Sequence, residues 1–209
     1  MLRFEQEAWA GGFKRVAGVD EAGRGPLAGP VFAAAVVFER EFLEAEARQS
    51  LAGLDDSKKL PASRREFFHA LLSACPHAKI GVASASVEEI DSLNILRATH
   101  LAMARAIGML APLPEFALVD GLPVKGLPVP HRAIVGGDGA SLSIAAASVV
   151  AKVARDRLMV ELAAQFPAYG FDRHKGYGTK AHLDALRRHG PCPVHRKTFA
   201  PVAQLSMEF

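Results

Sequence analysis

Four acidic residues stand where the sequence predicts that strands end or a helix begins. Asp20 and Glu21 follow the apolar start of "VAGVDEAGRGPLAG", Asp120 follows the apolar residues 116–119, and Asp138 lies in a glycine-rich turn before a long helical pattern. Ligand sites in open α/β sheets form at strand ends, so we expect these carboxylates to converge. Because converging acids repel one another unless cations are bound, they predict a divalent metal site.

The type of ligand restricts both the metal and the reaction. Carboxylate oxygens favour Mg²⁺ or Mn²⁺ over zinc. Two such ions about 3.5–4 Å apart can activate a water and stabilise the oxygen that leaves a phosphodiester. The acids therefore predict metal-assisted phosphodiester hydrolysis. Taken singly, each has a structural alternative: a solvated strand end for Asp20 and Glu21, a turn for Asp120 and a helix cap for Asp138.

The elements that must position these acids follow a mixed α/β pattern. Strands are predicted at residues 15–20 and 31–38, and the glycines and prolines between them leave no room for a helix, so these strands should be antiparallel neighbours. Further strands are predicted at 79–85, 116–119 and 133–135, a loop at 122–130, and helices at 63–74, 87–110 in two segments, 141–165 and 179–189. We expect a mixed central sheet flanked by helices, in one domain over 1–209, with a core to about 165 and a helical or loop appendage from about 166.

Composition excludes several classes of protein. The chain has 209 residues, of which half are hydrophobic, enough for one sizeable core. Its longest apolar runs, such as residues 31–38, are far shorter than the roughly 20 residues that span a bilayer, and the first residues lack the apolar centre of a signal peptide. Only two cysteines are present, which argues against a disulfide framework. We expect a cytoplasmic monomer that does not bind membranes.

The charge is unevenly distributed along the chain. The net charge is +3, yet residues 121–209 hold 12 Lys and Arg against 6 Asp and Glu, whereas residues 1–120 hold 13 against 16. This asymmetry predicts a polyanionic partner, with a solvated basic face as the alternative. The candidate phosphate contacts are Ser57, Lys58 and Lys59, to which the basic half adds Arg155, Arg157, Lys175 and Lys180.

Two alternative functions compete with hydrolysis. The segment "GRGPLA", residues 23–28, fits a dinucleotide-binding fingerprint, but the prolines in and after it exclude the helix that must receive the pyrophosphate. A nucleic-acid-binding module without catalysis would need the basic half but not the four acids, which oppose polyanion binding unless metal neutralises them.

Two further residue sets carry weaker signals. Cys192, His195 and His189 could bind zinc, but a packed thiol with surface or substrate-side histidines is the favoured interpretation. Ser148 and Lys152 have the spacing of a Ser-Lys nucleophile pair on a helix, without any sign of an oxyanion element. Helix packing is the better explanation for them.

The segment around Asp20 resembles the signature of ribonuclease HII, the bacterial type 2 ribonuclease H. Further similar motifs follow in the family's order: "DDSKKL", "NILRATHLAM", "LVDG", "SIAAASVVAKVARDRLM", "YGFDRHKGYGT" and "HGPCPVHR". Together they cover nearly the whole chain. The resemblance to the related ribonuclease HIII is weaker.

The resemblance implies a ribonuclease H-like fold and a metal-dependent endonuclease. It implies cleavage of the RNA strand of RNA–DNA hybrids and cutting 5′ to single ribonucleotides in duplex DNA, with 5′-phosphate and 3′-hydroxyl ends, for ribonucleotide removal and primer removal. By position, Asp20, Glu21, Asp120 and Asp138 correspond to the family's catalytic and metal-binding acids, which use Mg²⁺ or Mn²⁺.

The resemblance also assigns substrate contacts. Gly23, Arg24 and Gly25, together with Tyr177, correspond to the residues that recognise the ribose 2′-hydroxyl, the group that distinguishes RNA from DNA. The small turn at residues 23–25 allows close approach of backbone polar groups. A tyrosine can hydrogen-bond through its hydroxyl and pack its ring on a sugar.

Residue 136 departs from the family's pattern. Family members commonly carry Lys-Gly-Asp where this chain has Gly136, Gly137 and Asp138, so we expect a cation near Asp138 to be missing.

The C-terminal residues 201–209, "PVAQLSMEF", include Gln204, Leu205, Met207 and Phe209 and loosely resemble a peptide that binds a replication clamp.

Overall fold

The computed structural model describes residues 1–45 and 47–205. Its centre is a five-stranded sheet in the order β3-β2-β1-β4-β5. The strands are β1 (Val16–Ala22), β2 (Val31–Phe38), β3 (Ala78–Ala85), β4 (Phe116–Asp120) and β5 (His131–Ile134). Strand β1 is antiparallel to β2 and parallel to β4; β2 and β3 are antiparallel, and β4 and β5 are parallel. The predicted mixed sheet and the antiparallel first pair are confirmed.

Helices flank both faces of this sheet. They are α1 (Arg3–Ala10), α2 (Arg40–Ala45), α3 (Ala47–Ser50), α4 (Ala62–Ala74), α5 (Val87–Leu93), α6 (Ile95–Gly108), α7 (Leu142–Gln165), α8 (Phe171–His174), α9 (Lys180–His189) and α10 (Ala200–Leu205). No helix in the described part of the chain combines the length and the apolar character that a membrane span requires.

The two faces of the sheet bury separate hydrophobic clusters because strand side chains alternate in direction. Val16 of β1 and Leu118 of β4 face α7, whereas Ala17 and Val119 face α6. The alanine-rich helix α7 lies so close to β1 that a Cβ on Gly18 would be 2.1 Å from the carbonyl carbon of Ser143. Small residues on both elements therefore allow the central strand and the long helix to pack backbone to backbone.

The segment between β1 and β2 contains no helix, which rules out the dinucleotide-binding alternative. Strand β1 extends through Ala22, two residues beyond the predicted end, because Ala22 still pairs with Phe32 of β2. Glu21 therefore lies within the strand together with Asp20, and not after it. Strand β5 begins two residues and ends one residue earlier than predicted, and the left-handed Gly136, with φ 67°, follows soon after its end.

Helix α1 was not predicted from the sequence. Its Glu5 is fully buried, and Oε1 accepts hydrogen bonds from the hydroxyl of Ser141 and the N–H of Ser143. Ser141 itself caps α7, since its hydroxyl accepts from the N–H of Ile144. The capping role considered for Asp138 is therefore filled by Ser141, and α1 fixes the start of α7 just after the turn that carries Asp138.

Helices α8, α9 and α10 follow α7 and share a third hydrophobic cluster with residues from the segment before β2. It includes Leu27, Met159, Phe171, Leu186 and Val202. The C-terminal helices thus pack directly beside the segment that contains the Gly-Arg-Gly turn. The division into a core and an appendage near residue 165 stays a prediction.

Candidate active site

Three carboxylates converge at one end of the central strands. Asp20 lies on β1 and Asp120 on the parallel neighbour β4, in adjacent register. The N–H of Gly137 donates to Oδ1 of Asp120 at 2.7 Å, which holds the 3₁₀ turn bearing Asp138 against the end of β4. One oxygen from each of Asp20, Asp120 and Asp138 lies within 4.8 Å of the others.

The electrostatics of this group favour a bound cation. Asp20 is only 2% exposed; Oδ1 accepts the N–H of Glu21 at 2.7 Å, and Oδ2 has no hydrogen-bond partner among the described residues. Burial raises the pKa of Asp20 well above its usual range, and the charges of Glu21 and Asp120 raise it further. The pKa of Asp138 is likewise raised by burial and by the charges of Asp120 and Asp56. A divalent ion ligated by carboxylate oxygens would relieve this repulsion and give the buried oxygen a partner.

Glu21 is not part of the group within 4.8 Å. Its carboxylate pairs with Arg24, Nη1 to Oε1 3.2 Å. Burial raises the pKa of Glu21, and the Arg24 guanidinium opposes that increase. Glu21 and Asp120 both line a groove of about 720 Å³ that includes His100 of α6. Glu21 therefore lies next to the three aspartates, and its side chain lines this groove.

Lys58 places a cation at Asp138. Its ammonium lies 3.2 Å from Oδ2 of Asp138 and 3.6 Å from Oδ1 of Asp56. Although burial lowers the pKa of Lys58, the charges of Asp20, Asp56 and Asp138 raise it above its ordinary value. Residue 136 supplies no cation, as its identity as glycine indicates, but Asp138 does not lack a cation, because Lys58 from a different segment lies beside it.

The predicted phosphate contact by Ser57 does not fit the structure. Ser57 is 3% exposed, and its hydroxyl accepts a hydrogen bond from the hydroxyl of Ser148 at 2.9 Å. Its carbonyl accepts from Arg65. The nucleophile pair considered for Ser148 and Lys152 is also not formed, because the ammonium of Lys152 lies 2.6 Å from Asp156.

The turn at Gly23, Arg24 and Gly25 lies beside Tyr177, although more than 150 residues separate them in the sequence. A Cβ on Gly25 would be 3.8 Å from Cε1 of Tyr177, whose side chain is 44% exposed. Arg24 and Gly25 are exposed, whereas Gly23 is buried against Arg155 with φ 98°. The structure thus brings together the residues that the resemblance assigns to the 2′-hydroxyl.

Two important arginines were not identified as such from the sequence. Arg155 was predicted to face phosphates and Arg196 was given no role, yet both are completely buried. Their guanidinium groups donate to backbone carbonyls of residues 23–30 and of Lys175. The only sequence signal is the position of Arg155 on the largely apolar side of α7; Arg196 has no comparable signal.

The alternative zinc site does not form. Sγ of Cys192 lies 3.1 Å from Nδ1 of His195, while Nε2 of the same ring lies 3.0 Å from Nε2 of His182. The imidazole of His195 therefore lies between Cys192 and His182, and the ligand atoms of these residues do not converge on one point where a zinc ion could bind. His189 is exposed and packs edge-on against Tyr169. In residues 1–45 and 47–205, the three aspartates are the one group of acidic, His and Cys side chains with metal-binding geometry.

Comparison with solved structures identifies the class of fold. The chain is similar to ribonuclease H2 from Pyrococcus horikoshii, with 25% identity, a TM-score of 0.73 and coverage of 93% of this chain and 98% of that one. It is also similar to ribonuclease HII from Archaeoglobus fulgidus, solved in complex with PCNA, with 27% identity, a TM-score of 0.70 and coverage of 88% and 95%. The fold is ribonuclease H-like, as predicted.

Sequence comparison then identifies the family. The Ribonuclease HII family model matches residues 17–202. Ribonuclease HII from Geobacillus kaustophilus is 50% identical over 205 residues, which cover 98% of this chain and 75% of that protein. The chain belongs to the ribonuclease HII family. It is a ribonuclease H, a hydrolytic endonuclease that acts on RNA–DNA hybrids and depends on divalent metal. This result excludes the non-catalytic binding module.

Proposed function

We propose that this protein cuts on the 5′ side of ribonucleotides, both in RNA–DNA hybrids and at single ribonucleotides within duplex DNA. The observation that carries the proposal is the group of three aspartates within 4.8 Å, with one buried oxygen that lacks a partner. The exposed Gly-Arg-Gly turn and Tyr177 lie beside one another and supply a means of reading the 2′-hydroxyl.

The acids hold the divalent ions in this proposal. Asp20, Asp120 and Asp138 would bind Mg²⁺ or Mn²⁺ directly, and Glu21 would complete the ligand set from the adjacent groove. The chemistry that such ions supply is activation of a water for in-line attack at phosphorus and stabilisation of the departing 3′-oxygen. The protein's own contribution is rigidity, because β1, β4 and the hydrogen bond from Gly137 to Asp120 fix the carboxylates before substrate arrives.

Substrate selection depends on groups next to the acids. The backbone of Arg24 and Gly25 and the hydroxyl of Tyr177 contact the 2′-hydroxyl of the ribonucleotide whose 5′ phosphate is cut. Lys58 and Lys59 are the cations that the "DDSKKL" segment places near the acids, beside Asp138 and Asp55, and they would contact backbone phosphates of the bound duplex.

The direct test is the chemistry of the product ends. A duplex with one internal ribonucleotide should be cut in Mg²⁺ or Mn²⁺ and not in EDTA, leaving a 3′-hydroxyl and a 5′-phosphate. Asp120→Asn should lose more than the roughly 10–100-fold that removal of an outer-shell partner costs at metal sites. Asp184→Asn is the matched control, because Asp184 pairs with Arg187 on the surface of α9. A 2′,3′-cyclic phosphate would contradict the scheme, since it requires attack by the 2′-hydroxyl.

A second candidate activity is attachment to a replication clamp. The structural neighbour from Archaeoglobus fulgidus was solved in complex with PCNA. We extend this to the C-terminal peptide of residues 201–209; Gln204 is exposed on α10, whereas Met207 and Phe209 lie outside the described residues. Deletion of residues 206–209 should abolish capture of the clamp in a pull-down and leave cleavage of short duplexes unchanged. Undiminished capture would refute this idea.

The proposed cellular role is ribonucleotide removal from DNA and removal of RNA primers, by a monomer in the cytoplasm. Sedimentation of the purified protein should give a mass near the 22.3 kDa of one chain. A strain that lacks the protein should accumulate alkali-sensitive ribonucleotides in its DNA, and the Asp120→Asn form should not reverse this.

A further inference from the structure

Two buried guanidinium groups lie behind the Gly-Arg-Gly turn. Arg155 comes from the middle of α7, and Arg196 comes from the segment between α9 and α10. Both have no exposed surface, and neither forms an ion pair within the part of the chain that the structure describes. Burial lowers the pKa of Arg155 to about 10 and that of Arg196 to about 9, which still leaves both charged at neutral pH.

Backbone carbonyls replace the lost hydration of these charges. Arg196 donates to the carbonyl oxygens of Gly23, Arg24, Gly29 and Pro30. Arg155 donates to the carbonyl oxygens of Ala28, Pro30 and Lys175, at 3.0–3.1 Å. Burying a charged group is costly unless such hydrogen bonds are made, so the bonds fix the positions of the carbonyls they contact.

The contacts at Gly23 and Arg24 determine where the next N–H groups point. A trans peptide is planar, and its C=O and N–H groups point in opposite directions. Because Arg196 draws the carbonyls of Gly23 and Arg24 inward, the N–H groups of Arg24 and Gly25 must point outward. Both residues are exposed, and neither N–H has an acceptor among the described residues.

The same pair of arginines connects the turn to the loop that carries Tyr177. Arg155 holds the carbonyl of Lys175, two residues before Tyr177, and its guanidinium lies 6.0 Å from the tyrosine ring. The N–H of Leu27 donates to the carbonyl of Gly176, so a second bond joins the two segments. These bonds therefore fix the position of Tyr177 relative to the turn at residues 23–25.

We propose that Arg155 and Arg196 are positioning residues for ribonucleotide recognition: they hold the turn so that the N–H groups of Arg24 and Gly25 and the hydroxyl of Tyr177 can contact a single 2′-hydroxyl. This inference rests on the proposed function. It implies that the C-terminal segment, through Arg196, is part of the recognition apparatus and not only a covering of the core. It also explains why two unpaired buried charges are present where apolar residues would pack at lower cost.

The first test uses Arg196→Lys and Arg155→Lys, which retain the charge but lose the planar fork. Each is made in the Asp120→Asn background, and affinity is compared for a duplex with one ribonucleotide and the same duplex without it. We expect the preference for the ribonucleotide to fall about tenfold, with affinity for the all-DNA duplex unchanged. Arg105→Lys is the matched control, since its guanidinium pairs with Glu89 on the surface.

The outcomes separate this inference from the proposed function. If the Asp120→Asn parent has no preference for the ribonucleotide, both fail. If the parent has the preference and the two lysine variants retain it, the positioning role alone is overturned. Equal loss of affinity for both duplexes would indicate a general structural role and would also overturn it.

A second measurement needs no variant at either arginine. In the wild-type protein, the Nε–H protons of Arg155 and Arg196 should exchange with solvent at least about 100-fold more slowly than that of Arg105, because they are buried and bonded to carbonyls. In the Asp120→Asn protein, the backbone amide resonances of Arg24 and Gly25 should shift on addition of the ribonucleotide duplex and not of the all-DNA duplex. Rapid exchange of the two arginine protons, or equal shifts with both duplexes, would contradict the proposal.

Discussion

The ammonium of Lys58 lies 3.2 Å from Oδ2 of Asp138, one of the three aspartates of the candidate metal site. The lysine side chain is 71% exposed, so its pairing with the acid adds little to stability. Its position matters more, because the same ammonium is placed to contact a phosphate that approaches the site.

Lys58→Ala should weaken binding of an RNA–DNA hybrid and reduce its dependence on salt. Loss of one phosphate contact is expected to lower the slope of log affinity against log salt concentration by about one. Titrations at several salt concentrations measure that slope. Lys79→Ala, an exposed change on β3, should leave the slope unchanged. An unchanged slope in the Lys58 variant would show that this lysine makes no phosphate contact.

Asp20→Asn should stabilise the metal-free protein while abolishing cleavage. The pKa of Asp20 is raised by burial and by Glu21 and Asp120, so its ionised form destabilises the fold. The contribution of Asp20 to the free energy of unfolding is most favourable below the pKa that this carboxyl has in the unfolded chain. That contribution is lost as pH rises toward its pKa in the folded protein. At neutral pH in EDTA, the variant should gain about 1–2 kcal/mol in the free energy of unfolding. Denaturant melts measure this gain, and a less stable variant would refute the prediction.

Stability should fall in acid because of the buried pair His182 and His195. The N–H of Cys192 donates to Nδ1 of His195, so a neutral His195 carries its proton on Nε2, facing His182, whose Nδ1 contacts the carbonyl of Tyr177. Burial, with His182 and His174 nearby, lowers the pKa of His195 to about 4. As pH falls through about 6.5, His195 therefore binds a proton in the unfolded chain before it does so in the folded protein. About 3 kcal/mol of the free energy of unfolding is lost between about pH 6.5 and pH 4.

The difference between wild type and His195→Gln isolates this effect from the titration of the carboxylates. Denaturant melts from pH 7.5 to 4.5 should show a steeper loss for wild type than for the variant. His189→Gln, an exposed change in the same region, should follow wild type. Parallel curves for wild type and His195→Gln would contradict the assigned pKa shift.

Tyr177→Phe should reduce cleavage at a single ribonucleotide without affecting the fold. Its hydroxyl is proposed to contact the 2′-hydroxyl, and loss of one such hydrogen bond corresponds to about a tenfold lower kcat/KM. Tyr177→Ala should be worse, because the ring beside Gly25 is also removed. Steady-state kinetics with a duplex that carries one ribonucleotide measure both effects. Equal activity of Tyr177→Phe and wild type would leave the ring, and not the hydroxyl, as the functional group.

The sequence predicted what depends on local pattern. The apolar run of residues 31–38 located β2. Asp20 and Asp120 were identified because they end apolar runs, and Asp138 because it lies in a glycine-rich turn before a helical pattern. The sequence did not predict that Lys58 would supply the cation at Asp138, because that contact joins residues 80 positions apart. It also misassigned Arg155, since an arginine on a helix usually reaches solvent and only the packing of residues 23–30 over α7 encloses it. Glu21 follows Asp20 directly, but strand alternation turns its side chain away from that of Asp20, toward the groove that Asp120 also lines.

The most direct test of the account is a cleavage map of two duplexes that differ only in the position of one ribonucleotide. Wild type and Asp120→Asn are compared in Mg²⁺ and in EDTA. We predict that wild type in Mg²⁺ cuts each duplex immediately 5′ to its ribonucleotide, so the cut moves with the ribonucleotide. We expect no cutting by wild type in EDTA and none by Asp120→Asn. Cuts that stay at one place in both duplexes, or equal cutting by Asp120→Asn, would contradict it.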